Sequence, residues 1–373
     1  MVDRFTDSDR AFMRLALQLA RKGGRTSPNP PVGAVLVKNN KILATGFHRG
    51  PGTDHAEAAA LKKLKGRAQG ATLFVTLEPC CHTEKRTPPC VRVLLESGIK
   101  RVVVGHIDPN PQVNGRGIRT LRSQGIQVQV GCLAEECHKL IQAYGKWIVS
   151  GIPFIILKSA MTLDGKIATV RGESHWITGE FSRRMVHELR SRVDAVMVGF
   201  ETVMKDNPEL TVRSVSGPNP IRVVLDSHLR LPLNRKIFSR LKEAPTVVAT
   251  LLSEKDNPKV TELQKKGAHL IFCGANRKGR VDLEDLFLRL GNRGITSVMV
   301  EGGATLASSL IEQGELDELW LFVAPRVLGG SGLDWLGELQ VGKLKSTSRF
   351  ELLEAAPSGE DFLFRLRPWS SKS

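Results

Sequence analysis

The chain has 373 residues, 41% hydrophobic and 25% charged, with a net charge of +16. It is long enough for two domains with full cores and too apolar for a disordered chain. Aromatics make up 5% with a single tyrosine, and the basic residues are dispersed, which argues against a stacked nucleic-acid platform. A phosphorylated substrate and an anionic cofactor account for part of the charge, and a solvated surface for the rest. The N-terminal Met1-Val2-Asp3-Arg4-Phe5 lacks the apolar core of a signal peptide, and no apolar segment reaches membrane-spanning length. A cytoplasmic protein without membrane association is expected. Cys80, Cys81 and Cys90 cluster while Cys132, Cys137 and Cys273 are scattered, so no disulfide framework is expected.

Residues 7–22 carry apolar positions at helical spacing behind an acidic and serine start, and Gly23-Gly24 end that helix. Residues 32–37 and 41–47, joined across Asn39-Asn40, read as a hairpin. Helices over 55–64, 90–97, 117–123 and 133–144 then alternate with strands over 72–77, 101–106 and 126–130, the pattern of an α/β sandwich. The pattern pauses at Val149-Ser150-Gly151-Ile152-Pro153, so domains over 1–149 and 150–373 are expected. The second half restarts with a strand at 154–158. Further strands are expected at 195–199, 221–226, 246–250, 269–272, 297–300 and 318–323, with helices near 180–192, 283–290 and 304–313.

The chemistry is concentrated between residues 55 and 90. His55, Cys80 and Cys90 would give a tetrahedral zinc three protein ligands and leave its fourth position for water, the arrangement of a catalytic site. Glu57, two residues after the ligand histidine, would move the proton, as in the H-x-E…P-C signature of zinc deaminases. Singly these signals are weak, because a lone His-Ala-Glu is usually surface decoration and a cytosolic cysteine a small buried hydrophobe. Together they are strong: Glu57 opens an apolar helical run, Cys80 follows a strand, and Cys90 begins a helix behind two prolines. The spacing departs from P-C-x-x-C, since Cys80 and Cys90 stand ten apart, and Cys81 remains an alternative to Cys80. Two further stretches are weak alone. Glu301-Gly302-Gly303 links a buried-type strand to a helix and could cradle phosphate, and Leu163-Asp164-Gly165-Lys166 followed by Gly172-Glu173-Ser174 reads equally well as ordinary loops.

Both halves resemble the bifunctional riboflavin-biosynthesis deaminase/reductase family. The first half carries Asn29-Pro30-Pro31-Val32-Gly33, His55-Ala56-Glu57, Glu78-Pro79-Cys80, Thr87-Pro88-Pro89-Cys90 and Asp108-Pro109-Asn110-Pro111. The second carries Leu163-Asp164-Gly165-Lys166, Gly172-Glu173-Ser174, Trp176-Ile177-Thr178, Asp206-Asn207-Pro208 and Val300-Glu301-Gly302-Gly303. The resemblance implies a cytidine-deaminase-like three-layer α/β/α domain followed by a dihydrofolate-reductase-like α/β domain. It implies zinc-dependent hydrolysis of the 2-amino group of 2,5-diamino-6-ribosylamino-4(3H)-pyrimidinone 5′-phosphate, then NADPH-dependent reduction of the ribosyl group to ribityl.

Carried over, His55, Cys80 and Cys90 hold the metal and Glu57 is catalytic, while Asn29, His48, His82, Arg86, Asp108 and Asn110 contact the deaminase substrate. The loop from Thr83 to Arg86 is one residue longer than the family's usual spacing. In the reductase, Ala160, Trp176, Thr202, Asp206 and Ser227 match NADPH contacts, as does the run Gly303, Ala304, Thr305, Leu306, Ala307, Ser308 and Ser309. Ser174, Arg190, Leu210, Arg213 and Glu301 match its substrate contacts, and Lys158 is a further candidate for the ribose. No cationic partner of a cofactor 2′-phosphate is evident, and whether copies of the chain associate is left open. The alternatives are a nucleoside or tRNA deaminase with an unrelated appended domain, and a binding module that kept zinc for stability. The intact Glu57 speaks against the latter.

Overall fold

The computed structural model describes residues 5–81, 89–174, 176–339 and 341–369. The chain divides into two compact units, Met1–Gly151 and Ile152–Ser373, two residues beyond the break expected from the pause in the pattern. The pause is the end of a helix that runs on to Ser150 and closes on Gly151 in the left-handed conformation.

The first unit runs α1 (Asp7–Lys22), β1 (Gly33–Lys38), β2 (Lys41–Phe47), α2 (Ala56–Lys62), β3 (Thr72–Leu77), α3 (Cys90–Glu96), β4 (Arg101–His106), α4 (Arg116–Ser123), β5 (Gln127–Val130) and α5 (Ala134–Ser150). Its sheet has the order β2-β1-β3-β4-β5; β1 pairs antiparallel with β2 and β3, and β3, β4 and β5 run parallel. The pleat sends alternate residues to opposite faces. Ala34, Leu36, Leu73, Val75, Val102 and Val104 pack with α2, α3 and α4. Val35, Val37, Phe74 and Val103 pack with α1 and Cys137 of α5. Three α/β/α layers result. Burial on both faces explains why these strands read as continuous apolar runs.

α1 starts where its chemistry requires. Thr6 and Asp9 form a reciprocal capping box, each backbone N–H donating to the other's side chain at 3.1 Å. Asp9 also accepts two hydrogen bonds from Arg101 at 2.8 and 2.9 Å, and these hold its carboxyl below the usual range. A folded-state value below the unfolded value of about 4 stabilises the fold above that pH and is lost as the pH falls through the lower value. Arg101→Ala should therefore move the acid-unfolding midpoint of this unit to higher pH, followed by far-UV circular dichroism. An unmoved midpoint would remove the pair from acid stability.

The second unit runs β6 (Phe154–Thr162), β7 (Lys166–Ala168), α6 (Glu180–Arg192), β8 (Ala195–Gly199), α7 (Phe200–Asp206), β9 (Ile221–Leu225), β10 (Thr246–Leu251), α8 (Pro258–Lys266), β11 (His269–Cys273), α9 (Leu283–Gly291), β12 (Ser297–Val300), α10 (Ala304–Gln313), β13 (Glu318–Ala324), β14 (Leu333–Asp334), β15 (Phe350–Ser358) and β16 (Asp361–Pro368). Nine strands form one sheet in the order β11-β10-β9-β8-β12-β6-β13-β16-β15, parallel as far as β13 and antiparallel beyond. α9 and α10 cover one face, and α6, α7 and α8 the other. The chain places β8 to β11 on one side of β6, then returns to insert β12 between β6 and β8. Such a switch opens a crevice at the carboxyl ends of the strands, where ligands bind.

Candidate active sites

In the first unit, three separate elements deliver the metal-ligand candidates. His55 is the N-cap of α2, Cys80 lies just beyond β3, and Cys90 is the first residue of α3. α2 can approach because Gly46 on β2 has no side chain: a Cβ there would lie 2.1 Å from the Ala56 carbonyl oxygen. Their donor atoms lie within 4.8 Å of one another. His55 Nδ1 is 3.2 Å from Cys90 Sγ and 3.5 Å from Cys80 Sγ. A tetrahedral zinc with bonds of about 2.0 Å to nitrogen and 2.3 Å to sulfur separates those ligand atoms by about 3.5 Å, so the trio fits the ion.

The thiols are already polarised. The Cys90 thiol donates to Cys80, and that bond, reinforced by His55, holds Cys80 down at about 3, while the same bond and burial push Cys90 well up. Cys81, the alternative ligand, stands outside the trio, half-buried, with its thiol pushed up by burial. Glu57 lies in the first turn of α2, only 3% exposed, and burial raises its carboxyl above the usual range.

The substrate candidates gather around this cluster. His48 Nδ1 faces the Asp54 carbonyl at 3.2 Å and must donate to it, so Nε2 accepts from the Asn29 amide at 3.0 Å. The His48 ring stands edge-on to His55, centroids 5.5 Å apart. Asp108 accepts from the Asn110 backbone at 2.9 Å and from the Tyr144 hydroxyl at 3.1 Å. His82 and Arg86 lie outside the described residues. Two residues that sequence reasoning gave no role complete the arrangement. Buried Glu78 accepts from the backbone N–H groups of Asp108, Gly115 and Ile118 at 3.3, 2.8 and 3.2 Å, so one carboxylate ties the loop bearing Asp108 to the strand end bearing Cys80. Tyr144 of α5 fixes the Asp108 carboxylate from behind; its only signal was that it is the sole tyrosine.

In the second unit two clefts meet at the switch point. The first, about 760 Å³, is lined by Thr202, Asp206, Ser227, Gly303, Ala304, Thr305, Leu306 and Ser309, all candidate cofactor contacts. Ala307 and Ser308 from the same run turn inward: Ala307 is buried in the core, and Ser308 Oγ accepts from the Gly337 N–H at 2.8 Å. The second cleft, about 630 Å³, holds all six substrate candidates, Lys158, Ser174, Arg190, Leu210, Arg213 and Glu301, together with Ala160 and Trp176. The clefts share Ile167, Ser174, Thr202, Asp206 and Gly303. A cofactor in one and a substrate in the other would meet there.

The second cleft is built on a buried ion pair. Arg190 donates from Nε and Nη2 to one oxygen of Glu301 at 3.0 and 2.7 Å, and from Nη1 to the Thr211 carbonyl at 2.7 Å. Burial would raise Glu301, but Arg190 and then Lys158 outweigh it and its carboxyl lies below the usual range. Burial pushes the Lys158 ammonium down. His187, three residues before Arg190 on α6, was missed; burial and then Arg190 hold it down at about 4, and the neutral ring accepts from the Arg213 N–H at 3.3 Å. Leu210 has a buried side chain and a φ of 54°, so what it offers the cleft is backbone.

The comparisons with known proteins follow this division. Residues 6–106 match the model of the cytidine and deoxycytidylate deaminase zinc-binding region, and residues 153–364 match the model of the RibD C-terminal domain. The chain is 43% identical over 368 residues to riboflavin biosynthesis protein RibD of Actinobacillus pleuropneumoniae, covering 96% of this chain and 95% of the relative. It is 43% identical over 358 residues to the Aquifex aeolicus protein of the same name, covering 95% and 97%. Among solved structures, Acinetobacter baumannii RibD is similar with a TM-score of 0.87 at 36% identity, covering 97% of this chain and 99% of that one. A diaminohydroxyphosphoribosylaminopyrimidine deaminase/5-amino-6-(5-phosphoribosylamino)uracil reductase of Thermotoga maritima is similar with a TM-score of 0.86 at 38% identity, with the same coverage.

Proposed function

We propose that this chain, which belongs to the RibD family of riboflavin biosynthesis proteins, performs two consecutive reactions on one phosphorylated pyrimidine. It is a bifunctional enzyme, a zinc deaminase of the cytidine-deaminase fold joined to an NADPH-using reductase of the dihydrofolate-reductase-like fold. The nucleoside or tRNA deaminase reading is not favoured, because relatives match across both halves.

The substrate of the first step is the diaminopyrimidine 5′-phosphate, which loses its 2-amino group as ammonia. Zinc held there would make a water acidic enough to attack at neutral pH. His55, Cys80 and Cys90 would hold the ion, and Glu57 would take a proton and return it to the departing amine. Asn29, His48, Asp108 and Asn110 orient the pyrimidine, and Arg86, outside the described residues, is the candidate for its phosphate. In the second step bound NADPH would supply the hydride. Lys158 and Glu301 address the ribosyl end, and Ser174, Arg213 and the Leu210 backbone hold the phosphate. Among the described residues no helix is long and apolar enough to cross a membrane. A cytoplasmic enzyme acting on a small anion is our reading, and the dispersed charge supports it.

The observation that carries this reading is the convergence of His55, Cys80 and Cys90 beside the buried Glu57. The test is a coupled assay on metal-counted protein. Ammonia should appear from the diaminopyrimidine phosphate without NADPH, and NADPH absorbance should fall only once ammonia has been released. NADPH oxidation that precedes ammonia would reverse the order of steps, and zinc-loaded protein releasing no ammonia would end the reading.

A further inference from the structure

The first cleft of the reductase unit has two chemically different ends. One is the wall shared with the substrate cleft, formed by Ser174, Thr202, Asp206 and Gly303. The reacting ring of a dinucleotide must lie there to meet the substrate, which places the adenosine at the other end. That end is built from the exit of β9 and the hairpin before α9, and it is basic: His228, Arg230, Lys278 and Arg280 line it. Of the cleft's carboxylates, Asp206 belongs to the shared wall, Asp334 is paired with Lys166 at 2.6 Å, and Glu201 lies in the first turn of α7.

The basic end is braced by hydrogen bonds although its side chains are exposed. Asp226 accepts from the Leu231 N–H at 2.8 Å, which folds the turn carrying Arg230, and the Arg230 guanidinium lies 4.2 Å from the centroid of the Phe200 ring. Asn276 closes the opposite hairpin, its side chain accepting from the N–H groups of Lys278 and Arg280 at 2.9 and 3.1 Å. The two loops are joined where Val281 N–H donates to Ser227 Oγ at 3.2 Å. That bond occupies a lone pair of the Ser227 hydroxyl and leaves its proton free for an anion. Arg280 adjoins this junction in the chain and Arg230 lies three residues beyond it. Neither pairs with a carboxylate of the described residues, whereas Lys278 lies 3.6 Å from Glu312.

We infer that Arg280 and Arg230, with the Ser227 hydroxyl between their loops, form the subsite for the 2′-phosphate of the adenosine and so select NADPH over NADH. A guanidinium presents paired donors to phosphate oxygens, which is the chemistry a 2′-hydroxyl cannot exploit. The inference deepens the reductase reading, and it is tested by binding alone. Calorimetric titration of the full chain with adenosine 2′,5′-bisphosphate and with 5′-AMP measures the phosphate's contribution without turnover. The wild-type chain should prefer the bisphosphate. Arg280→Gln and Arg230→Gln should each weaken the bisphosphate about 10- to 100-fold and leave 5′-AMP unchanged, with Arg280→Lys intermediate. The unchanged 5′-AMP affinity also reports an intact cleft. Equal weakening of both nucleotides, or a bisphosphate affinity untouched by either substitution, overturns the subsite. A wild-type chain that binds NADPH but holds the bisphosphate no tighter than 5′-AMP overturns it too. A wild-type chain that binds neither NADPH nor either nucleotide fails the reductase reading itself.

Discussion

Glu57→Gln should lower ammonia release by about 10²- to 10⁴-fold, the range lost when a positioned proton carrier is removed, while the chain keeps one zinc. The substitution preserves size, so the first turn of α2 and the His55 cap remain in place. It removes the only group in that turn able to take up and return a proton. Burial raises the Glu57 carboxyl, and that favours a side chain that both accepts and gives up a proton over one fixed in its ionised form. Ammonia release and metal content would be measured on the same preparation. NADPH oxidation with already deaminated substrate should continue, since Glu57 belongs to the first unit and the cofactor cleft to the second. A variant that deaminates at the wild-type rate would strip Glu57 of its role. Loss of zinc instead would make it a structural support for the ligands.

How legible these sites were depended on how many independent signals converged at each. α1 carried a cap, a period and a terminating glycine pair, and it spans Asp7–Lys22 as expected. The metal trio was legible for a similar reason, each ligand falling at a helix start or a strand end. Elements with one weak signal escaped. α7 is seven residues long with only Val203 buried, and α8 buries only Leu263, so neither shows a stripe. β15 and β16 form a hairpin whose alternation is broken by a bulge between Leu352 and Glu354 and interrupted by Pro357, with Leu352 and Phe362 facing outward. Pairings distant in sequence were illegible altogether. Nothing in Glu78 announces the backbone of residues 108–118, and nothing in Leu163-Asp164-Gly165-Lys166 announces that Asp164 accepts from Leu328 and Gly329 or that Lys166 pairs with Asp334. Those two motif residues hold the chain beside the cofactor cleft, which is why they resembled ordinary loop residues.

Arg190→Ala should reduce kcat/KM of the reduction on the order of 10²-fold, the loss expected when a reacting group drifts by about 1 Å, and leave deamination standing. The Arg190 guanidinium spends two donors on Glu301 and one on the Thr211 carbonyl, bonds that position the wall of the cleft. Removing the guanidinium leaves a carboxylate, 14% exposed, whose burial is then opposed chiefly by Lys158, with a smaller contribution from His187. Breaking a buried pair this way costs about 3–5 kcal/mol, and the remaining Lys158 charge argues for the lower end. In a unit of this size that lowers the melting transition by about 10 °C, seen by calorimetry as the separation of one transition from the other. The double variant Arg190→Ala, Glu301→Gln distinguishes lost pairing from lost packing. With no carboxylate left to strand, it should melt above the single variant although it has lost both partners, while its reduction stays impaired under the proposed role of Glu301 at the ribosyl end. A double variant that melts as low as the single one would show that Arg190 stabilises through its aliphatic stem and the Thr211 contact. Deamination lost along with reduction would mean that the two chemistries do not reside in separate units.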